Sequence, residues 1–267
     1  MQQNIVLNGR KFSYSESGKG PVVMLVHGFG EDSLIWSSQT EALPGFRLIL
    51  PDLPGSGGSD MIADMSMEGM AAILHELLEQ LGIKKCTMIG HSMGGYVTLA
   101  FAEKWSDQLS GFGLFHSTAF ADSIEKKEVR KKGIDFIERN GPFEFLKTSI
   151  PGLFSPASRE NRKELIEELL KRAHNFSGAA LVSYYRSMME RPDRTSVLKM
   201  SQVPVLFILG RHDQAVPLED GLKLCHLPGL SYIHILEESG HMGMKEEPHT
   251  SNKVLSNYLT AIHHQPQ

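Results

Sequence analysis

A serine in a sharp turn is the first residue of this chain that could do chemistry. Ser92 lies in Gly90-His91-Ser92-Met93-Gly94, directly after a short apolar run over residues 86–89. Glycines two positions before and after a serine allow a tight strand-to-helix turn that presents the serine oxygen above a parallel sheet. The N–H of Met93 then stands at a helix start, where it can bind an oxyanion. This pattern predicts that Ser92 is a nucleophile.

A serine hydroxyl also needs a base, and the base needs a group that orients it. Asp213 and His241 each follow an apolar run, over residues 203–209 and 232–236. In a doubly wound sheet such groups lie just past the carboxyl ends of the strands. Ser92, Asp213 and His241 occur in the order serine, acid, histidine, each at the end of a predicted strand. The sequence therefore predicts that Asp213 orients His241 and that His241 activates Ser92.

Four other histidines lie near these positions. His91 precedes the nucleophile and is expected to point away from a substrate into the packing. His27 follows another apolar run and is expected to brace the adjacent loop through a hydrogen bond. His116 ends the predicted strand over residues 109–115, and we consider a place in the lining of the substrate pocket for it. His212 is expected to anchor its loop, while Glu237 and Glu238 are typical of a solvated turn.

The elements that must position these residues alternate between strands and helices. Asn8-Gly9 between two alternating segments indicates a hairpin. Buried strands are predicted at residues 21–26, 46–50, 86–89, 109–115, 203–209 and 232–236, and helices at 32–43, 70–81, 95–104 and 254–262. This alternation indicates right-handed crossovers and a parallel sheet.

Between residues 122 and 195 the alternation stops. This stretch is charged, carries no apolar strand run, and holds several helical patterns separated by prolines. We predict a core of residues 1–121 and 196–267 with a helical cap over residues 122–195, which we call the helical segment. Its aromatic, methionine and arginine side chains are candidates for the pocket: Phe136, Phe143, Phe145, Phe154, Tyr184, Tyr185, Met188, Met189, Arg130, Arg159, Arg172 and Arg186.

Composition excludes several classes of protein. The net charge of −4 over 267 residues gives no basic footprint for nucleic acid. No apolar stretch is long enough for a membrane span, and the first residues lack the apolar core of a signal peptide, so we expect a cytoplasmic protein. Cys86 and Cys225 are expected in the core. The sequence predicts no metal, no cofactor and a small-molecule substrate, and it fixes no oligomeric state.

Taken together, the motifs resemble those of the α/β-hydrolase-fold serine hydrolases. The resemblance spans the chain and rests on four motifs in family order: His27-Gly28-Phe29-Gly30, Gly90-His91-Ser92-Met93-Gly94-Gly95, Gly210-Arg211-His212-Asp213 and Gly240-His241. It implies a mostly parallel eight-stranded sheet flanked by helices, an inserted cap, and a second oxyanion donor in the N–H of Phe29. It also makes Asp122 the alternative acid, since some relatives carry the acid after that strand.

The resemblance implies a hydrolase that cleaves a carboxylic ester of a small to medium, largely apolar substrate through an acyl-enzyme. Two alternatives share the same three residues: a carbon–carbon bond hydrolase and a lyase of the menaquinone-pathway type. An alternative of another class is a hydrolase-like receptor that signals through its cap. Generic ester turnover without a partner protein distinguishes the enzyme from the receptor. Fold alone does not choose among these functions.

Overall fold

The chain folds around one eight-stranded sheet. The computed structural model describes Gln2–His263, so Met1 and residues 264–267, at the two ends of the predicted core, lie outside the described residues. The strands are β1 (Gln2–Leu7), β2 (Arg10–Ser17), β3 (Val22–Val26), β4 (Arg47–Pro51), β5 (Cys86–His91), β6 (Leu109–Phe115), β7 (Val205–Gly210) and β8 (Ser231–Leu236). Their order in the sheet is β1-β2-β4-β3-β5-β6-β7-β8.

Strand β2 pairs antiparallel with β1 and β4, and the remaining neighbours pair parallel. This confirms the predicted α/β fold with a mostly parallel sheet. The hairpin between β1 and β2 turns at Asn8 and Gly9, whose φ angles of 50° and 74° are those an Asn-Gly turn requires.

Helices cover the sheet and fill one long insertion. They are α1 (Ser37–Thr40), α2 (Met67–Gln80), α3 (Met93–Lys104), α4 (Ile124–Asn140), α5 (Pro142–Ser149), α6 (Pro156–Asn161), α7 (Lys163–Ala173), α8 (Gly178–Glu190), α9 (Thr195–Met200), α10 (Leu218–Leu222), α11 (Gly243–Glu246) and α12 (Pro248–His263). Short 3₁₀ turns lie at Ser33–Trp36, Ser106–Gln108 and Ile150–Leu153. Between Gln2 and His263, none of the helices is both long and apolar enough to cross a membrane.

The apolar patterns of the sequence explain these elements. Every residue of β5 and β7 is buried, as expected for central parallel strands covered on both faces. Helix α2 begins where the Ser66 side chain accepts a hydrogen bond from the Gly69 N–H at 3.0 Å. Its predicted apolar stripe is buried at Met70, Ile73, Leu74, Leu77 and Leu78.

The helix predicted over residues 32–43 was wrong. The chain there forms only the 3₁₀ turn Ser33–Trp36 followed by the single turn α1. The Asp32 side chain caps this turn at the Leu34 N–H, and the Ser33 N–H donates to Asp52 Oδ1 at 2.9 Å. Burial of Trp36 and these tertiary hydrogen bonds override the local helical pattern.

The order of the strands reverses between β3 and β5. Strand β4 lies on one side of β3 and β5 on the other, so the loops after β3 and β5 leave the sheet in opposite directions. A crevice forms at such a point beyond the carboxyl ends of the strands. These two loops carry Phe29 and Ser92, which places both predicted site elements at the crevice.

Candidate active site

The turn at Ser92 has the strained geometry that its glycines predict. Ser92 has φ 50° and ψ −116°, and its N–H donates to the Phe115 carbonyl at 3.0 Å. A Cβ atom at Gly90 would lie 2.2 Å from the Gly94 oxygen, and one at Gly94 would lie 2.4 Å from the Val26 oxygen. Backbone strain at a non-glycine residue of this kind is typical of functional sites.

The loop after β3 packs directly against this turn. A Cβ atom at Gly28 would lie 3.1 Å from Ser92 Cβ, so the chain at Gly28 approaches the serine as closely as a glycine allows. The next residue, Phe29, stacks its ring on Tyr185 with centroids 4.4 Å apart. Met93 is the first residue of α3, where N–H groups lack a partner within the helix. The residues that carry the two predicted oxyanion donors, Phe29 and Met93, therefore lie in backbone next to Ser92.

Asp213 and His241 form a short, buried pair. His241 Nδ1 lies 2.8 Å from Asp213 Oδ2, while Asp213 Oδ1 accepts the N–H groups of Ala215 and Val216, each at 2.8 Å. Burial would raise the pKa of Asp213, but the neighbouring imidazoles of His241 and His116 outweigh it and hold that pKa well below its usual range. The carboxylate therefore stays ionised and can orient His241.

The backbone around His241 is fixed from two directions. The His241 N–H donates to the Leu153 carbonyl at 2.6 Å, which ties it to the helical segment. Glu246 Oε1 accepts from the N–H groups of Gly240 at 2.8 Å and Met242 at 3.2 Å. Sequence reasoning did not find Glu246, because a glutamate in a charged stretch carries no distinguishing pattern.

A second buried ion pair lies behind the site. Glu31 Oε2 accepts from the Gly28 N–H at 2.6 Å and contacts His91 Nδ1 at 2.9 Å, while His91 Nε2 donates to the His241 carbonyl at 2.9 Å. Burial would lower the pKa of His91, but Glu31 outweighs it and raises that pKa above 6.5. His91 thus packs away from the cavity as predicted, whereas the part played by Glu31 was not predicted.

His27 holds the loop after β3 against the loop after β4. Its Nδ1 lies 2.8 Å from the Gly28 carbonyl, and its Nε2 accepts from the Leu53 N–H at 2.8 Å. An acceptor nitrogen carries no proton, so the ring donates from Nδ1. Burial lowers the pKa of His27, in keeping with a neutral ring. These contacts are those expected of a bracing residue.

His116 does not line the pocket, contrary to the role we considered for it. Its side chain is 0 % exposed, and its Nδ1 lies 3.3 Å from Asp213 Oδ2. Its φ of 49° is left-handed, like that of Ser92. The ring turns back under the sheet edge toward Asp213 instead of toward the cavity, because Gly210 and Gly243 leave space for it there.

The three groups of His116, Asp213 and His241 lie within 4.8 Å of one another, a donor set that could also bind a metal ion. The hydrogen bonds show how these atoms are used. Asp213 Oδ2 contacts both Nδ1 atoms, and His116 Nε2 accepts from the Gly243 N–H at 3.2 Å. A metal ion would have to displace the hydrogen bonds that His241 makes with Asp213 and that His116 accepts from Gly243, so the arrangement fits hydrogen bonding better.

Asp122, the alternative acid, binds arginines. Arg130 Nε lies 2.5 Å from Asp122 Oδ2, and Arg191 Nη1 lies 2.8 Å from Oδ1. Burial would raise the pKa of Asp122, but the two arginines lower it below 3.8. The structure thus pairs His241 with Asp213 and uses Asp122 to join the two ends of the helical segment.

A cavity of about 400 Å³ has both Ser92 and His241 in its wall. Most of its remaining lining is apolar or aromatic and comes from both the core and the helical segment: Phe29, Tyr96, Val129, Leu146, Ile150, Leu153, Leu169, Tyr185, Met188, Val216 and Met242. Of the candidates from the sequence, only Tyr185, Met188 and Arg130 belong to this wall. Arg172 instead pairs with Asp32, and Arg186 with Glu138. Such a lining suits a small or medium, largely apolar ligand.

Comparison with known proteins adds three findings. A family model described as alpha/beta hydrolase fold matches residues 21–114. An esterase from Thermogutta terrifontis, determined with malate bound, is 31% identical, with a TM-score of 0.92 over 98% of this chain and 99% of that one. The 2-hydroxy-6-oxo-6-phenylhexa-2,4-dienoate hydrolase of Comamonas testosteroni is 27% identical over 92% of this chain and 90% of its own length.

The fold recurs at lower sequence identity. An enol-lactonase from Burkholderia xenovorans superimposes with a TM-score of 0.90 at 22% identity, over 97% of this chain and 100% of that one. At that identity the likeness concerns the fold. The chain is thus similar, over more than nine-tenths of its length, both to an esterase and to a protein named as a dienoate hydrolase.

Proposed function

Since this chain belongs to the α/β-hydrolase-fold family of hydrolases, we propose that it is a serine hydrolase that cleaves the carboxylic ester bond of a small to medium, largely apolar substrate. One observation carries the proposal: His241, paired with Asp213 at 2.8 Å, lines the same largely apolar cavity as Ser92. The esterase similarity over nearly the whole chain supports the choice of an ester.

In the proposed reaction, His241 takes the proton of the Ser92 hydroxyl as its oxygen attacks the ester carbonyl. Asp213 holds the imidazole in the required tautomer and stabilises the imidazolium. His241 then gives the proton to the leaving alcohol as the acyl-enzyme forms. A water molecule, deprotonated by the same imidazole, attacks the acyl-enzyme, and His241 returns the proton to the Ser92 oxygen as the carbonyl–oxygen bond breaks and the acid is released.

The N–H groups of Phe29 and Met93 stabilise the oxyanion in this proposal. Loss of one such donor typically lowers the rate by about 10²–10³-fold, so each of these groups makes a large contribution to the rate. Glu31 supports the first of them, because it holds the Gly28 N–H at 2.6 Å, one residue before Phe29. The stack of Phe29 on Tyr185 fixes the same loop from the other side.

A second candidate is hydrolysis of a carbon–carbon bond in a dienoate. One feature of the cavity favours it: Arg130, whose guanidinium pairs with Asp122, also belongs to the wall and places a cation beside the space that a substrate carboxylate would occupy. The dienoate hydrolase relatives are similar over about nine-tenths of this chain. The same serine, histidine and aspartate serve both reactions, so only the substrate distinguishes them.

The test compares substrates on one enzyme. We expect p-nitrophenyl esters of short to medium acyl chain to be hydrolysed with a higher kcat/KM than 2-hydroxy-6-oxo-6-phenylhexa-2,4-dienoate. The opposite ranking would establish the second candidate, and Arg130→Gln should then raise KM for the dienoate alone. Negligible turnover of every substrate would contradict both candidates and favour a ligand receptor.

The assignment of the nucleophile is tested separately. A fluorophosphonate probe should label the protein once, at Ser92, and Ser92→Ala should abolish both labelling and ester turnover. The matched control is Ser38→Ala, which changes an exposed serine and should alter neither. Labelling that persists in Ser92→Ala would refute the assignment.

A further inference from the structure

His116 fills a space between the loop that carries Asp213 and the loop that carries His241. A Cβ atom at Gly210 would lie 2.8 Å from His116 Cε1, and one at Gly243 would lie 2.4 Å from His116 Nε2. Each glycine is within three residues of its loop's functional side chain. The buried ring therefore packs against the backbone of both loops, and the contacting residue in each loop is a glycine.

The hydrogen bonds of the ring define its protonation. The Gly243 N–H donates to His116 Nε2 at 3.2 Å, so this nitrogen is an acceptor and carries no proton. A neutral ring must then carry its proton on Nδ1, which lies 3.3 Å from Asp213 Oδ2, is not aligned for a hydrogen bond in the structure, and has no other hydrogen-bond partner among the described residues. Burial lowers the pKa of His116 below 6.5 and so favours the neutral ring, although Asp213 opposes this shift.

We propose that His116 is a positioning residue for the Ser92 reaction, a neutral imidazole that donates from Nδ1 to Asp213 and accepts at Nε2 from Gly243. This inference rests on the proposed function, since it requires Asp213 and His241 to act as an acid–base pair. The same ring thereby holds the Asp213 carboxylate at Nδ1 and the Gly243 N–H at Nε2. Gly243 lies two residues after His241, so the ring also holds the loop that carries the base. Its donated bond also withdraws part of the charge that Asp213 directs at His241.

The other charged and titratable neighbours of His116 agree with a neutral donor. The His241 and His91 rings lie with their centroids 5.8 Å and 6.2 Å away. His91 is paired with Glu31, and His241 with Asp213. A positive charge on His116 would be repelled by positive charge on His91, or on His241 once it has taken a proton, whereas a neutral ring is not.

The first experiment reads the tautomer and needs no turnover. In ¹⁵N-histidine-labelled protein, two-bond ¹H–¹⁵N correlation spectra should show His116, assigned by its absence in His116→Asn, with its proton on Nδ1 from pH 6 to pH 8. A proton on Nε2, or on both nitrogens, would overturn the proposal. Because the spectrum is independent of substrate, it separates failure of this inference from failure of the proposed ester hydrolysis.

The second experiment separates the two ends of the ring. The amide of His116→Asn can reproduce the Nδ1 donor and suits a positive φ, whereas that of His116→Gln reaches toward the Nε2 position and leaves Asp213 without the donor. We expect His116→Gln to lower kcat by about 10–100-fold with little change in KM, by analogy with the loss of hydrogen bonds that support metal ligands. His116→Asn should retain most of kcat.

The pH profile provides the readout that a purely structural role would not change. Without the His116 donor, Asp213 holds the imidazolium of His241 more strongly, so the acid limb of kcat/KM should move to higher pH in His116→Gln and stay in place in His116→Asn. Equal losses of kcat and of Tm in both variants, with wild-type acid limbs, would show that His116 only fills space. Wild-type kcat in both variants would likewise refute the proposal.

Discussion

Glu31 Oε2 lies 2.9 Å from His91 Nδ1, although Glu31 belongs to the loop after β3 and His91 is the last residue of β5. The same carboxylate oxygen accepts from the Gly28 N–H, and the other nitrogen of His91 donates to the His241 carbonyl. A single ion pair therefore links the loop of the proposed oxyanion donor to the backbone of the proposed base.

The pH dependence of this pair follows from its pKa shifts. The pKa of Glu31 is lowered: burial would raise it, but His91 and the Gly28 N–H outweigh burial. The stabilisation that Glu31 contributes to the folded protein is thus present above pH 4.5. It is lost as the pH falls through the pKa of Glu31 in the folded state. The pKa of His91 is raised, so its contribution is complete below pH 6.5 and is lost as the pH rises through the folded value.

Glu31→Gln should therefore lower the free energy of unfolding most at about pH 5.5 and less at about pH 8.5. We expect a loss of about 2–3 kcal/mol at the lower pH, somewhat below the cost of breaking a buried ion pair outright, because glutamine still accepts a hydrogen bond. Urea unfolding at the two pH values measures this. Glu237→Gln, which removes an exposed partner of Arg211, is the control. An equal loss at both pH values would contradict the ion-pair interpretation.

Substitution of the two candidate acids should affect different properties: activity for Asp213 and thermal stability for Asp122. Asp213→Asn should lower kcat by about 10³–10⁴-fold with little change in KM, because asparagine favours the wrong tautomer of the base. Asp122→Asn should instead lower Tm, because Arg191, which is 5 % exposed, loses the charge that compensates it. Steady-state kinetics and thermal melting of both variants decide the matter. Loss of kcat in Asp122→Asn at unchanged Tm would transfer the role of the acid to Asp122.

Gly243→Ala should displace the His116 ring and so disturb the proposed active site. The added Cβ atom would lie 2.4 Å from His116 Nε2 and 2.3 Å from Leu236 Cδ1, closer than real contacts allow. We expect a loss of about 1–3 kcal/mol of stability, as for other overpacked positions, together with a lower kcat. Gly229→Ala is the matched control, because a Cβ atom there meets nothing within 4 Å. Unchanged kcat in Gly243→Ala would show that this contact is dispensable.

The wall of the cavity should set the preferred acyl chain. Met188, on α8, is buried and lines the cavity, so Met188→Ala should enlarge it and move the optimum of p-nitrophenyl ester hydrolysis toward longer chains. The substitution also costs about 2–5 kcal/mol, so folding must be checked by thermal melting. Phe136→Ala changes a partly exposed residue of α4 outside the wall and should leave the ranking of esters unchanged. An unchanged ranking in Met188→Ala would place the choice of substrate elsewhere.

The sequence predicted the elements whose signals are local. Gly90 and Gly94 around Ser92, Asn8-Gly9, and the apolar runs of β5 and β7 are each read from a few neighbouring residues, and the structure has each element where it was expected. Asp213 and His241 were predicted to lie together because the carboxyl ends of parallel strands meet at one edge of a sheet, and their side chains lie 2.8 Å apart there.

The parts that were missed depend on contacts distant in the chain. His116 meets Asp213 and Gly243, about one hundred residues or more further on, and nothing next to His116 distinguishes a ring that faces a carboxylate from one that faces a cavity. Glu31 is one of many glutamates until His91 is folded against it. The segment 32–43 has a helical pattern, but Asp52 and the buried Trp36 decide its conformation.

The hydrogen bond from the His241 N–H to the Leu153 carbonyl links the backbone of the proposed base to the helical segment. Leu153 and Ser155 belong to the helical segment, and the Ser155 N–H also donates to Glu246, the carboxylate that holds the loop of His241. If the helical segment moves away from the core to release product, two hydrogen bonds break together. The His241 N–H loses the Leu153 carbonyl, and Glu246 loses the Ser155 N–H. The position of the His241 backbone is therefore coupled to the position of the helical segment.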